Sequence, residues 1–324
     1  MKFLDTLSYM LIFILLGVIG FIIYQIYPII DSYYFSEVEK FVPVNDEGNR
    51  SIVNITIPDD FPDGVLFYDN MRFKDKRISY FIDQTCSSDR ADDARRAFDL
   101  LEENTILEFY ELDLNGQIEV SCSNSKRTER RINEGYFIAG EGGPSSIINA
   151  TNFYIINNGT IFLYKENTCS KPIIAIHEIL HVLGFKHSID KNSIMYNTVN
   201  CNQQMTKEII DNINELYSIP SLPDLIIIKA VAEKKGIEFS FNIEIINAGL
   251  KKSEPVNLTF YGDNNLIGNY NIGELDSGTG KEISVSGIRV NKNLKDVSFI
   301  IDADDLVGEI NEGNNRFDLS INEN

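Results

Sequence analysis

The sequence predicts an α+β domain that lies between an amino-terminal membrane-spanning helix and a carboxy-terminal β-sandwich. Residues 7–30 form an uncharged apolar stretch, residues 66–218 mix strand and helix patterns, and residues 224–324 contain about seven short strand patterns. A polar, acidic stalk at residues 31–65 and a Pro-containing linker at residues 219–223 separate these parts. A length of 324 residues suits two ordinary domains with such additional segments.

The composition narrows the classes of partner. Hydrophobic residues make up 43% of the chain, which is enough to build a core, and the formal net charge is −19. Such a charge argues against nucleic acid as a partner and against docking on anionic lipid, because like charges repel. We interpret the charge as a solvated acidic surface.

Residues 1–30 are predicted to be a transmembrane signal-anchor helix. The uncharged residues 7–30 are about long enough to cross a bilayer at about 1.5 Å per residue. Lys2 precedes them and Asp31 and Glu37 follow, so the positive-inside rule places the amino end in the cytoplasm and the remaining chain outside. The alternative is a secreted protein with a cleaved signal peptide, whose apolar region would be shorter and would end in small residues.

The first half of the α+β segment reads as strand, helix, strand, strand. Strand patterns lie at residues 77–83, 106–112 and 117–122. Ser88 or Asp89 can cap a helix after the first strand, because apolar residues then recur at helical spacing.

The second half begins with a glycine-rich break at residues 140–144, after which a β pattern resumes at residues 145–156. Asn157-Asn158-Gly159 then predicts a tight turn before a strand at residues 160–164. Thr206 can cap a final helix with an apolar stripe made of Ile209, Ile210, Ile213, Leu216 and Tyr217.

The chain contains three histidines, and all three lie in one motif of the form HExxHxxGxxH. A helix places His177 and His181 on one face, where both can bind the same metal ion. Gly184 can take the left-handed conformation that ends the helix and brings His187 back as a third ligand. Three histidines leave one position for water, the arrangement of catalytic zinc, and Glu178 is placed to reach that water.

Together with Ser193-Ile194-Met195-Tyr196, this motif resembles the metzincin zinc endopeptidases. Ser188, directly after the third histidine, makes the motif similar to that of the matrixins. The resemblance implies a twisted mixed sheet with an active-site helix, one catalytic zinc ion and a polypeptide substrate. It also implies that Glu178 acts as general base and that Met195 lies beneath the metal as an apolar support. In this family an edge strand pairs with the extended substrate, and residues 140–156 are our candidate for it.

Four cysteines lie within the α+β segment, and an even number on an externally oriented chain predicts two disulfides. Four cysteines allow three pairings. We favour Cys169–Cys201, because these two bracket the motif helix and the methionine turn, and therefore Cys86–Cys122. Four free buried thiols are the alternative.

The strand patterns of residues 224–324 favour an immunoglobulin-like sandwich. The segment is similar to CARDB, a cell-adhesion-related module of prokaryotes, in Pro-Asp-Leu at 223–225, in Ile-Asn-Ala-Gly at 246–249 and in the sequence VGEINEGNN at 307–315. The resemblance implies a spacer or a domain that binds a cell-surface ligand.

Four acidic residues near the end of this segment are of the kind that bind calcium, namely Asp302, Asp304, Asp305 and Glu309. They lack the spacing of an EF-hand loop, so we favour an ordinary acidic turn. A structural calcium ion is thus compatible with the sequence but not indicated by it.

The sequence as a whole predicts a single-pass protein of the cell membrane with a zinc endopeptidase on the extracytoplasmic side. A cell-surface adhesion or binding protein with an inactive protease-like domain is the alternative. The complete histidine motif favours the enzyme, while the CARDB-like module is compatible with both.

Overall fold

The computed structural model describes residues 65–123 and 139–321. The predicted transmembrane helix and all but the last residue of the predicted stalk lie outside these ranges. Within the described residues, no helix combines the length and the apolar composition that crossing a membrane requires.

The amino-terminal part of the described chain is an α+β domain with a mixed sheet. Its strands are β1 (Met71–Phe73), β2 (Arg77–Ile82), β3 (Glu108–Glu111), β4 (Ile118–Cys122), β5 (Gly140–Asn149) and β6 (Tyr154–Leu163). Its helices are α1 (Ser88–Asn104), α2 (Ile173–Val182) and α3 (Lys207–Ser218). The strands follow the order β1-β6-β4-β2-β3 in parallel, and β5 pairs with β6 antiparallel.

The early elements follow the predicted order. In β2 the alternating Ile78 and Tyr80 are buried, and Phe98 of α1 stacks on Tyr80 with ring centroids 3.9 Å apart. The cap residue of α1 is Ser87, which precedes both predicted candidates, Ser88 and Asp89, because the Ser87 carbonyl already accepts the first helical hydrogen bond from Ala91.

The turn predicted at Asn157-Asn158-Gly159 is wrong, since these residues lie inside β6. A Cβ atom on Gly159 would lie 2.2 Å from Cγ1 of Val182 in α2, so this glycine permits close packing of helix on strand. The chain reverses instead at residues 150–153, where Ala150 N donates to the Phe153 carbonyl. The glycine-rich residues 140–144 likewise belong to β5 and do not interrupt the sheet.

Helix α3 closes the domain, and its cap is the predicted one. The Thr206 side chain accepts a hydrogen bond from Ile209 N, which satisfies one of the free donors of the first turn. The predicted stripe faces the core through Ile209, Ile213, Leu216 and Tyr217, whereas Ile210 is half-buried.

Two disulfides fix the loops around the sheet and the motif helix. Cys86 is bonded to Cys122 and Cys169 to Cys201, which is the favoured pairing. The described residues contain no free cysteine, so the alternative of four free thiols is wrong.

The carboxy-terminal part of the described chain is a β-sandwich of seven strands, as predicted. Its strands are β7 (Leu225–Lys235), β8 (Glu238–Asn247), β9 (Val256–Gly262), β10 (Asn265–Gly273), β11 (Gly280–Arg289), β12 (Asp296–Ile301) and β13 (Arg316–Ser320). One sheet has the order β10-β9-β12-β13 and the other β11-β8-β7. Phe239, Phe260 and Phe299 fill the space between the sheets, with Phe260 stacked on both other rings.

Candidate metal centre

Helix α2 holds two of the three histidines in the interior of the domain. Nine of its ten residues are buried, because the helix packs against the sheet and against α1. The helix ends as predicted before Gly184, which has a φ of 99°. This backbone conformation favours glycine, and the packing is also tight there, since a Cβ atom would lie 3.1 Å from Sδ of Met71.

The three imidazoles converge on one point through their Nε2 atoms. These atoms are 3.0 Å apart for His177 and His181, 3.1 Å for His181 and His187, and 3.3 Å for His177 and His187. His177 and His181 are buried, while His187 is on the solvent side. The turn at Gly184 thus returns the third ring to the first two, as the motif predicted.

Backbone carbonyls fix the orientation of the two buried rings. His177 Nδ1 lies 2.6 Å from the carbonyl oxygen of Ile194, and His181 Nδ1 lies 2.8 Å from that of Phe185. A carbonyl can only accept, so both Nδ1 atoms carry the proton and both Nε2 atoms present lone pairs. A hydrogen bond from the ring nitrogen that does not face the metal commonly fixes the tautomer and orientation of a metal-binding histidine.

The arrangement fits a divalent metal ion. Two lone pairs that face each other at 3.0 Å repel unless a cation lies between them. Tetrahedral zinc with bonds of about 2.0–2.1 Å would place its nitrogen ligands about 3.3 Å apart. Burial lowers the pKa of His177 to about 4 and also lowers the pKa values of His181 and His187, so all three rings are neutral at neutral pH and ready to bind.

Glu178 directly follows the first of these histidines in α2 and is buried, and among the described residues no group donates a hydrogen bond to its carboxylate. Burial, with a smaller contribution from the nearby Glu141, raises the pKa of its carboxyl to about 8. Strand β5 approaches it so closely that a Cβ on Gly140 would lie 2.8 Å from Glu178 Oε1, and one on Gly142 would lie 2.3 Å from the Glu178 carbonyl oxygen.

Met195 lies in the tight turn that follows the motif, and 1% of it is exposed. Its carbonyl accepts from Ser188 N at 2.7 Å, which joins this turn to the residue after the third histidine. The preceding residue, Ile194, supplies the carbonyl that orients His177. The turn therefore supports the histidines through its backbone and forms part of the apolar core around them.

Sequence reasoning missed three features of this centre. It missed the carbonyls of Ile194 and Phe185, because backbone atoms leave no mark in a sequence. It also missed Phe67, whose ring stacks on His181 with centroids 6.0 Å apart. The third feature is the close contact of β5 with Glu178; the glycine-rich stretch at residues 140–144 was its signal, but we interpreted that stretch as a break.

The acidic residues considered for calcium do not come together as one site. Glu309 is buried and accepts from Leu225 N and from the Asn315 amide, while Asp302 accepts from Val307 N. Within residues 65–123 and 139–321, the histidine triad is the single cluster of three or more such ligands.

Comparison with protein families finds two matching segments. Residues 72–218 match the Matrixin family of peptidases, and residues 222–318 match the CARDB family. No curated protein matches the chain.

Several solved structures are similar to this chain, and two of them are structures of the same CARDB domain from Pyrococcus furiosus. Its crystal structure, in complex with di-metal ions, is 19% identical and covers 31% of this chain and 93% of its own, with a TM-score of 0.27. Its solution structure is 20% identical and covers 31% and 94%, with a TM-score of 0.26. A domain of a Methanosarcina acetivorans protein is 18% identical and covers 31% and 90%, with a TM-score of 0.28.

Proposed function

We propose that this protein, in which a matrixin domain precedes a CARDB domain, is a zinc endopeptidase anchored in the cell membrane and active on its extracytoplasmic side. The matrixin domain is that of a metallopeptidase family. The observation that carries the proposal is the convergence of three histidine Nε2 atoms on one point, with the buried Glu178 directly after the first of these histidines in α2.

His177, His181 and His187 would hold the metal. A zinc ion bound there would supply the Lewis acidity that brings the pKa of a water towards neutrality and polarises the scissile carbonyl. The carbonyls of Ile194 and Phe185 keep the two buried rings in the binding tautomer, so no proton has to leave these rings.

Glu178 is the general base in this proposal. Its carboxylate accepts a proton from the attacking water and returns the proton to the leaving amine. The pKa of about 8 refers to a centre without positive charge, and a cation at the histidines favours the ionised carboxylate that the role requires. No described group donates a hydrogen bond to the Glu178 side chain, so its carboxylate is available to accept one from water.

Strand β5 supports a polypeptide as the substrate. It is an edge strand, since it pairs with β6 on one side and ends the sheet there. Its first residues contact Glu178, so an extended peptide that pairs with its free edge would pass beside the centre. Because such pairing uses backbone groups, it accepts many sequences, and the preferred peptide bond depends on side-chain pockets.

One sequence feature and one structural feature support the location. Residues 7–30 are uncharged and of membrane-spanning length, and Lys2 on their amino-terminal side supports a cytoplasmic amino end under the positive-inside rule. The two disulfides agree with an oxidising environment on that side. An anchored protein should stay with the membranes in alkaline carbonate and be extracted only by detergent. Release by alkaline carbonate alone would contradict the anchor.

The test is cleavage of casein and of a peptide library by the full chain, with and without a zinc chelator. We expect one zinc ion per chain, cleavage that the chelator abolishes, and recovery when zinc is restored. A His181→Ala variant should lose both the zinc and the cleavage. A wild-type protein that binds one zinc ion but cleaves no peptide would favour the adhesion or binding protein instead.

A further inference from the structure

Strand β5 extends from the candidate metal centre to the CARDB domain. Its first residue, Gly140, lies against Glu178, and its last residue, Asn149, lies against Gly278 of the sandwich. Ten residues of strand span roughly 30 Å. One continuous element therefore contacts the reacting region at one end and the second domain at the other.

At the first end, the backbone of two glycines in β5 lies against the side chain and the backbone of Glu178. The absence of side chains on Gly140 and Gly142 allows β5 to approach the Glu178 side chain and carbonyl directly. A displacement of β5 therefore changes the space around Glu178 and the path of a paired peptide together.

At the other end, an apolar cluster joins the two domains. Ala150, Phe153 and Ile155 of the β5–β6 hairpin pack with Leu250 of the CARDB domain. All four side chains are fully buried, although they belong to neither of the two main cores. The hairpin turn is thus covered by the second domain, where an exposed turn would ordinarily face water.

Polar contacts fix the same junction. Asp224, of which 1% is exposed, accepts from the Asn152 amide at 3.0 Å and from the Asn314 amide at 2.8 Å. Asn152 belongs to the hairpin turn and Asn314 to the CARDB domain, so one buried carboxylate binds both domains. Gly278 has a φ of 75°, and a Cβ there would lie 2.8 Å from the Asn149 carbonyl oxygen.

The segment between the domains is also held. Leu250 N donates to the Leu222 carbonyl, and Ile310 N donates to the Pro223 carbonyl. The predicted linker at residues 219–223 is therefore hydrogen-bonded to the sandwich.

We propose that the CARDB domain positions the substrate-pairing strand β5, with Leu250 and Asp224 as positioning residues that act through the hairpin turn. The inference rests on the proposed peptidase function. An edge strand is held by one ladder only, so its free flank depends on how its ends are anchored. The CARDB domain supplies the anchor at the end away from Glu178, and loosening it weakens the binding of an extended substrate.

The test compares Leu250→Ala with Leu258→Ala in the full chain. Both remove a fully buried leucine side chain from the CARDB domain, but Leu258 lies in the sandwich core and not at the junction. At a temperature where both variants are folded, we expect Leu250→Ala to raise the KM for long peptides about threefold to tenfold, with kcat within twofold. Leu258→Ala should leave both constants within twofold of the wild type. Leu250→Met, which keeps a large apolar side chain, should have a KM close to that of the wild type.

A second pair of variants tests the same role without creating a large cavity in the core. Asn152→Ala deletes the amide that binds Asp224, and Asn271→Ala deletes an exposed amide contact on the sandwich. We expect the KM to rise for Asn152→Ala and to stay unchanged for Asn271→Ala.

Hydrogen exchange separates this inference from the proposed function. Amides of residues 140–149 should exchange faster in Leu250→Ala and in Asn152→Ala than in their controls, whether or not a cleavable peptide is known. A wild type without peptidase activity would refute the proposed function, while the exchange result still decides the anchoring. Unchanged exchange in β5 and equal KM values in each pair would overturn the positioning role.

Discussion

Glu178 in α2 and Glu309 in the CARDB domain are both buried glutamates, and burial is the main cause that raises the pKa of each to about 8. Their surroundings differ in the groups that contact the carboxylate. Glu309 accepts from the backbone of Leu225 and from the amide of Asn315, so it joins the start of β7 to the end of the sandwich. Glu178 has no such partner among the described residues, and it directly follows His177, one of the three converging histidines.

The comparison teaches that burial and a raised pKa do not by themselves mark a reactive group. A buried carboxylate that already accepts two hydrogen bonds has a structural role, because moving it would leave two donors without a partner. A buried carboxylate without partners, next to a cluster that can bind a cation, is available for proton transfer.

The largest expected effect comes from removing each carboxylate in turn. Glu178→Ala should lower kcat/KM for peptides by about 10²–10⁴-fold, because general base catalysis contributes about that much. It should retain one zinc ion, since the three imidazoles remain. Glu309→Gln should keep kcat/KM within twofold. Steady-state cleavage and zinc content measure both, and equal cleavage by Glu178→Ala and wild type would rule out the mechanism.

A smaller effect should come from filling the space that β5 leaves for Glu178. A Cβ on Gly140 would collide with the Glu178 carboxylate, whereas a Cβ on Gly143 meets nothing within 4 Å. Gly140→Ala should lower kcat/KM about tenfold to 100-fold, because a displacement of about 1 Å near the reacting groups can cost that much. Gly143→Ala is the matched control and should stay within twofold.

The melting temperature of both alanine variants distinguishes misplacement from unfolding. We expect them to melt within a few degrees of the wild type. If Gly140→Ala cleaves as fast as Gly143→Ala, the position of β5 has no bearing on Glu178.

The histidine centre could be predicted from the sequence because its geometry is local. Helical spacing fixes His177 relative to His181, and Gly184 sets the turn that returns His187. The seven strands of the sandwich were likewise visible, since alternation of apolar and polar residues is a property of each strand alone.

Contacts between distant segments could not be predicted. Gly159 looks the same in a sequence whether it turns the chain or admits Val182 of a packed helix, and the turn interpretation was wrong. The junction of Phe153 with Leu250 joins residues almost a hundred positions apart, and each alone resembles an ordinary core residue. The roles of Glu178 and Glu309 differ for the same reason, because hydrogen-bond partners are set by the folded chain.

The two disulfides differ in which elements they enclose, so removing each one tests whether the metal centre depends on covalent support. Cys169–Cys201 encloses α2 and the turn with Met195, whereas Cys86–Cys122 encloses α1 and β3. Replacing either pair by alanine should cost about 3–4 kcal/mol of stability, because the sequence separations of 32 and 36 are similar.

The two disulfide variants should differ in activity. Loss of Cys169–Cys201 should lower zinc affinity and cleavage several-fold, measured by zinc titration below the melting temperature. Loss of Cys86–Cys122 should leave both within twofold. Equal zinc affinity in the two variants would show that the turn at Met195 needs no covalent support.

Glu309 should affect the pH dependence of stability and leave cleavage unchanged. Its pKa is about 8 in the folded protein and about 4.5 in the unfolded chain, so unfolding releases a proton between these values. The stabilising contribution is complete below about pH 4.5 and is lost as the pH rises through about 8. In the wild type, the unfolding free energy of the CARDB domain should therefore fall by on the order of a few kcal/mol over this pH range. In Glu309→Gln this fall should be smaller. Denaturant unfolding at several pH values measures this, and parallel curves for variant and wild type would mean that Glu309 is ionised in the folded protein.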